Sequence, residues 1–116
     1  MQVDEPVIRI MERTTNAGGV VVTIQGEIDI ATVDTLRERL ADACEGDVTI
    51  DLRRVDFLDC LGLQLLFEQH ERSAERGLRV DFVQGPRAVR RLFELTGTLE
   101  RLSFVELAAR PLASTG

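Results

Sequence analysis

The chain has 116 residues, a length typical of one domain, and its 44% hydrophobic and 29% charged residues are ordinary for a globular protein. The formal net charge of −6, with 14 Arg and no Lys, argues against direct binding to nucleic acid phosphates. One His and two Cys are too few for an ordinary zinc site, and no nucleotide-binding or Ser-nucleophile motif is present. We therefore expect no enzyme activity, no metal and no cofactor.

Two further features bear on location. No apolar run approaches the roughly 20 residues of a membrane span. The first residues also lack the basic and apolar regions of a secretory leader. We therefore expect a cytoplasmic protein with no membrane partner.

The first half of the chain predicts a hairpin and then a helix. Two β-rich runs, at residues 7–11 and 20–24, flank turn residues 14–19, and Gly26 is expected to end the second strand. From Ile30 apolar residues recur at steps of three or four, which predicts an amphipathic helix that ends at Gly46. Asp29 or Thr32 could cap that helix with a side-chain oxygen. The inward residues are expected to be Val33, Leu36, Leu40 and Ala43.

The second half alternates strands and helices. Residues 48–52 and 78–83 predict strands, residues 53–60 a connection, and residues 103–107 a short last strand. A helix is predicted over 61–76, and another opens after residues 85–86 and ends at Gly97. The inward residues are expected to be Leu63, Leu66, Phe67 and Ala74 in the first of these helices, and Val89, Leu92 and Phe93 in the second.

This element order predicts an α/β fold in one domain spanning 1–116. Strands that alternate with helices imply parallel neighbours joined by right-handed crossovers, while the first hairpin adds an antiparallel strand. We expect a small mixed sheet of about five strands with three or four helices. The ordered core should cover about residues 7–107, and the tail 108–116 should be loose.

Residues 51–63 contain the clearest candidate site. A buried strand leads through Asp59 and Cys60 into a helix. In open α/β sheets, sites form outside the carboxyl ends of the strands, and the loop after Gly26 also follows such an end. The spacing therefore predicts a site at this end of the sheet.

Three stretches of the sequence resemble the STAS domain family, and within it the bacterial anti-sigma factor antagonists. Residues 26–32 resemble the family's G-E-[IL]-D motif, and residues 51–63 resemble D-L-x-x-[VL]-x-F-[ILM]-D-S-[ST]-G-L. Residues 86–97 resemble [SP]-x-x-V-x-x-[LI]-[FL]-x-x-[ST]-G. The likeness covers about residues 7–107 in the family's element order.

The resemblance implies a regulatory switch. An antagonist of this type binds an anti-sigma factor, often an ATP-binding kinase, and so frees a sigma factor. Phosphorylation of the first Ser of D-S-[ST]-G ends the interaction. The partner-binding residues implied here are Asp29, Ile30, Thr32, Asp59, Cys60, Leu61, Gly62 and Leu65.

Several of these residues have a second interpretation. Asp29 is explained equally well as a helix cap. Asp59 is also explained as a residue that fixes its loop by accepting backbone N–H groups, and Gly62 as one that allows close packing. Leu61 and Leu65 should be exposed if Leu63 and Leu66 face the sheet. An exposed apolar pair beside acids would suit a partner. A homodimer through edge strands or an apolar helix face is left open.

The chain departs from the motif at its decisive position. Cys60 stands at the phosphoacceptor position, Leu61 follows it, and no hydroxyl side chain lies between residues 50 and 72. Ordinary Ser phosphorylation is therefore not expected. Cys60 could be a small substitute that packs, a redox-sensitive thiol at a helix N-terminus, or the mark of a domain outside the sigma pathway. A disulfide with Cys44 is not expected, because strand 48–52 separates the two by roughly 20 Å.

Two other functional classes remain. STAS domains also serve as subunits of lipid- or anion-transport assemblies, where the Ser can be missing. The intact motif at residues 26–29 favours the antagonist. A thiol enzyme built on Cys60 is disfavoured, because His70 lies two or three helical turns away and no second Cys is near.

Overall fold

The computed structural model describes residues 8–16 and 18–107. The strands are β1 (Ile8–Thr14), β2 (Val20–Ile28), β3 (Val48–Leu58), β4 (Val80–Val83) and β5 (Ser103–Val105). The helices are α1 (Val33–Ala43), α2 (Cys60–Glu75) and α3 (Arg87–Leu95), and a 3-10 turn at Leu99–Arg101 precedes β5. The tail that we expected to be loose lies outside the described residues.

The five strands form one mixed sheet in the order β1-β2-β3-β4-β5, and only β1 and β2 pair antiparallel. The predicted α/β class and mixed sheet are therefore confirmed. The parallel crossovers all step in the same direction along the sheet, and because such crossovers are right-handed, α1 to α3 cover one face. Val22, Ile50 and Phe82 lie side by side in register on that face, and they belong to the core that also contains Leu36 and Leu66.

The length of β3 is the main difference from the sequence-based prediction. Residues 53–58, predicted as a connection, continue the strand, and β2 runs past Gly26 to Ile28. Two register shifts in the β2–β3 pairing each give β3 an extra residue. The buried residues of this stretch are therefore Leu52, Val55 and Leu58, every third residue, and the two-residue alternation of an ordinary strand is lost.

The buried arc of α2 also differs from the prediction. Leu65 is buried, at 1% exposure, although we expected it to be exposed, and Ala74 is exposed although we expected it to face inward. The reason is that α2 packs against α1 as well as against the sheet. Its buried residues therefore cover two sides and include Gly62, Leu63, Leu65, Leu66, Gln69 and Ser73.

Within the described residues, no helix combines the length and the apolar character that crossing a membrane would require.

Candidate functional site

The loop between β2 and α1 is fixed by its own polar groups. The Asp29 carboxylate accepts the Ala31 N–H at 2.9 Å. The Thr32 hydroxyl accepts the Asp29 N–H at 3.0 Å and donates to the Glu27 carbonyl at 2.7 Å. Thr32 is only 1% exposed, so its hydroxyl fastens the loop from inside, and this residue, which we predicted to bind a partner, offers almost no surface to one.

The start of α1 is therefore not capped as predicted. Thr32 occupies the N-cap position, but its side chain makes no bond to the helix. The backbone carbonyl of Asp29 accepts the Val33 N–H at 2.8 Å instead. The Asp29 side chain accepts the Ala31 N–H within the loop and so holds the loop rigid. The side chain of Ile30 points into solvent and is 77% exposed.

Asp59 caps α2 and ties it to the neighbouring strand. Its carboxylate accepts the Gly62 N–H at 3.0 Å, the bond that an N-cap residue makes. Its own N–H donates to the Ile28 carbonyl at 3.2 Å. The loop-fixing interpretation of Asp59 is thus confirmed, and the first turn of α2 is joined to the end of β2.

Gly62 allows the first turn of α2 to sit directly on the ends of β2 and β3. A Cβ atom at this position would lie 2.5 Å from Leu58 Cδ1 and 2.6 Å from Ile28 Cγ2. Real Cβ atoms do not approach other atoms so closely. The close-packing interpretation of Gly62 therefore holds.

The predicted site residues that remain exposed or half-buried at this end of the sheet form one candidate surface. We call it the loop–helix surface and define it as Asp29, Ile30, Asp59, Cys60 and Leu61. Leu61 is 41% exposed, and Cys60, the first residue of α2, is exposed as well. Apolar side chains exposed beside carboxylates are typical of a protein interaction site. Leu65 is not part of this surface, because it is buried.

The two cysteines have opposite environments. Both are free, and Cys60 is exposed whereas Cys44 is buried. Burial raises the pKa of the Cys44 thiol to about 11, although the charge of Arg76 opposes part of that rise. Cys44 is therefore an inert core residue at neutral pH, and Cys60 is the accessible thiol.

His70 is half-buried in the middle of α2. Over residues 8–16 and 18–107, no three His, Cys, Asp or Glu side chains come together as a metal site. The loop–helix surface combines the exposed apolar side chains Ile30 and Leu61 with the carboxylates of Asp29 and Asp59, a combination suited to binding a protein.

Sequence reasoning missed a second surface. Phe57 and Leu95 are 49% and 70% exposed, and both line a groove between the end of β3 and α3. Phe57 falls outside the every-third-residue pattern of its strand, and Leu95 is the last residue of α3. The one signal that could have indicated Phe57 and Leu95 is an apolar residue at a position that the burial pattern of its strand or helix leaves exposed.

Comparison with known proteins agrees with this fold. Residues 7–110 match the model of the STAS domain family. An anti-sigma factor antagonist from Mycobacterium paratuberculosis is 26% identical, with 86% of each chain covered and a TM-score of 0.75. The anti-sigma factor antagonist SpoIIAA in its unphosphorylated form is 18% identical, with 84% of this chain and 89% of that chain covered and a TM-score of 0.69.

The Bacillus cell fate determinant SpoIIAA in its phosphorylated form shares the fold as well. It is 17% identical, with 84% of this chain and 92% of that chain covered and a TM-score of 0.64. The family match extends over nearly the whole chain, and the element order and the mixed sheet agree with the fold of these solved structures. The protein therefore belongs to the STAS domain family.

Proposed function

We propose that this protein is an anti-sigma factor antagonist: it binds an anti-sigma factor of the ATP-binding kinase type and so releases a sigma factor. The observation that carries the proposal is the rigid loop–helix surface, where the Asp59 N–H bond to Ile28 holds two exposed apolar side chains, Ile30 and Leu61, at one end of the sheet. The similarity to the Mycobacterium paratuberculosis antagonist supports it. The proposed role is binding, without catalysis.

The contact would combine apolar burial with charge. Ile30 and Leu61 would be covered by the partner, which is favourable by roughly 25 cal/mol for each Å² of apolar surface removed from water. Asp29 and Asp59 would stand at the border of this contact. Their carboxylates already accept backbone N–H groups, so they are fixed in position before the partner arrives.

Cys60 would lie inside this contact and would not take phosphate from a Ser/Thr kinase. In the proposed switch, a phosphate at this position would add about −1.5 to −2 charges next to Asp59 and would cost desolvation in the interface. With Cys60 in place that event does not occur. The antagonist is then constantly competent for binding, and its amount or another signal sets the output.

The experiment that tests the function begins with capture from the lysate of the source organism under reducing conditions. Wild type should retain an ATP-binding anti-sigma kinase, identified by mass spectrometry, and Ile30→Arg should lose it. Leu95→Arg is the matched control, because Leu95 is 70% exposed and lies outside the loop–helix surface. Recovery of membrane-transport subunits, or retention of the kinase by Ile30→Arg, would contradict the proposal.

A gain-of-function variant tests the acceptor position directly. Cys60→Ser restores a hydroxyl at the first residue of α2. Incubated with the captured kinase and MgATP, this variant should gain one phosphoryl group and then release the kinase, while wild type gains none. Phosphorylation of wild type at another residue would show that the switch does not reside at residue 60.

A further inference from the structure

A groove of about 250 Å³ runs between the end of β3 and α3. Most of its lining is apolar, and two of those side chains, Phe57 and Leu95, are well exposed. The lining residues are Asp56, Phe57 and Leu58 from the strand and Ala88, Val89, Arg91, Leu92 and Leu95 from the helix. No residue of the loop–helix surface belongs to this lining.

The groove exists because β3 is longer than its neighbour. β4 pairs with β3 only from Val48 to Asp51, so within the described residues the stretch after Asp51 has β2 on one side and no strand on the other. The helix α3 stands beside this open edge. An unpaired strand edge next to an exposed apolar strip is a natural place for another chain to bind.

Two opposite charges border the groove. Asp56 comes from the strand wall and Arg91 from the helix wall, and neither forms an ion pair with any described residue. The neighbouring Arg90, by contrast, is paired with Glu94 at 2.9 Å. The groove therefore offers one acid and one base whose charges are not neutralised by an ion pair with any residue of 8–16 or 18–107.

We propose that this groove is the contact surface of a twofold-symmetric homodimer. A rotation by 180° about an axis that runs along the groove places the strand wall of one copy against the helix wall of the other, so Asp56 of each copy faces Arg91 of its partner. The same rotation brings the exposed Phe57 and Leu95 of the two copies together and removes them from water. One acid and one base on opposite walls of an apolar groove make its charge self-complementary, which favours a second copy of this chain as the partner.

The groove and the loop–helix surface share no residue, although Leu58 of the groove directly precedes Asp59 in the chain. Ile30 and Leu61 do not line the groove, so each protomer keeps its proposed surface for an anti-sigma factor. The pair would then present two such surfaces. This inference stands on the groove alone and does not depend on the proposed function.

Sedimentation equilibrium of the full chain tests the dimer. Wild type should show a reversible equilibrium between 12.9 kDa monomers and particles of twice that mass. Leu95→Arg should be monomeric, because it places charge in the apolar strip. Ile30→Arg is the matched control, with the same change at a residue of similar exposure, and should dimerise like wild type.

Charge reversal tests the geometry. Asp56→Arg and Arg91→Asp should each weaken the dimer about tenfold or more, because each reversal places like charges together at two symmetric positions. The double variant Asp56→Arg/Arg91→Asp should restore wild-type association. The four positions changed in these variants, residues 30, 56, 91 and 95, are all exposed. Circular dichroism should therefore show that every variant is folded.

Three outcomes would overturn the inference. The first is a wild-type chain that stays monomeric at the highest soluble concentration, and the second is a double charge reversal that fails to restore association. The third is loss of anti-sigma factor binding in Leu95→Arg with wild type monomeric, which would assign the groove to that partner. Kinase capture by wild type and its loss in Ile30→Arg report on the proposed function separately.

Discussion

Gly62 in α2 and Ile28 at the end of β2 lie in such close contact that no side chain fits between them. A Cβ atom at residue 62 would be 2.6 Å from Ile28 Cγ2 and 3.0 Å from the Ile28 carbonyl oxygen. The same carbonyl accepts the Asp59 N–H. Through this contact the first turn of α2 and the loop after β2 are held as one rigid unit, and that unit carries the loop–helix surface.

Gly62→Ala should destabilise the fold. Ala is favoured over Gly in a helix by up to about 1 kcal/mol, but overpacking against the Ile28 backbone should cost about 1–3 kcal/mol and outweigh that gain. Urea unfolding measures the difference. Gly46→Ala is the control, since a Cβ there meets no atom within 4 Å, and its stability should match wild type. Equal stability of both variants would show that the contact at Gly62 is not tight.

Thr32→Val should weaken the loop between β2 and α1. The substitution keeps the shape and removes the hydroxyl, so the Asp29 N–H and the Glu27 carbonyl both lose their partner. Leaving such groups unsatisfied in a buried place should lower the free energy of unfolding by about 1–3 kcal/mol. Thr32→Ser retains the hydroxyl and should lose much less. A Val variant as stable as the Ser variant would indicate that water replaces the hydroxyl.

Asp51 should make the stability of the protein depend on pH in the acid range. Burial raises the pKa of this carboxyl, but the hydrogen bonds and charge of Arg53, at 2.9 Å to each carboxylate oxygen, outweigh burial and hold the pKa below its ordinary value. A lowered pKa in the folded state stabilises the fold above the unfolded pKa of about 3.9, and that stabilisation is lost as the pH falls through the folded pKa.

Urea unfolding at a series of pH values measures this effect. Below about pH 4 the stability of wild type should fall more steeply than that of Asp51→Asn, which has no proton to bind at this position. Asp42→Asn, at an exposed site, controls for the loss of one negative charge. Parallel curves for wild type and Asp51→Asn would mean that the Arg53 pair does not favour the charged carboxylate in the folded state.

The two thiols should react at very different rates. Cys60 is exposed, whereas Cys44 is 1% exposed and its pKa is raised to about 11, so few Cys44 thiolates exist at neutral pH. A maleimide reagent should modify one cysteine in the native protein and both in denaturant, and peptide mass spectrometry should locate the first at residue 60. Rapid native modification of Cys44 would mean that the core opens readily.

Much of the fold follows from the sequence because a regular spacing of apolar residues predicts a helix or a strand directly. Leu36 and Leu40 in α1, and Val89 and Phe93 in α3, recur at helical spacing and are buried as predicted. The stretch 53–58 does not follow such a period. The bulges in this part of β3 replace the two-residue alternation of buried side chains by burial at Val55 and Leu58, three residues apart. In the sequence alone, that spacing is typical of a loop or a helix.

The candidate site was predictable in position and less so in detail. The motif residues Asp29 and Asp59 do lie at adjacent strand ends, because parallel strands end at the same edge of a sheet. The burial of Thr32 and Leu65 could not be read from local pattern. Thr32 is buried because its loop folds back on Glu27, and Leu65 is buried because α2 packs on two sides. Both depend on tertiary packing, which a local sequence pattern does not contain.

The most direct measurement is the affinity of the captured anti-sigma kinase for three forms of this protein by isothermal titration calorimetry: wild type, Cys60→Asp and Cys60→Asn. The Asp variant adds charge at the first residue of α2, and the Asn variant has the same size without charge. Cys60→Asp should bind about a hundredfold more weakly than wild type, a loss of nearly 3 kcal/mol, while Cys60→Asn should bind within a few-fold of wild type. Equal affinity of the Asp variant and wild type would contradict a partner interface at Cys60.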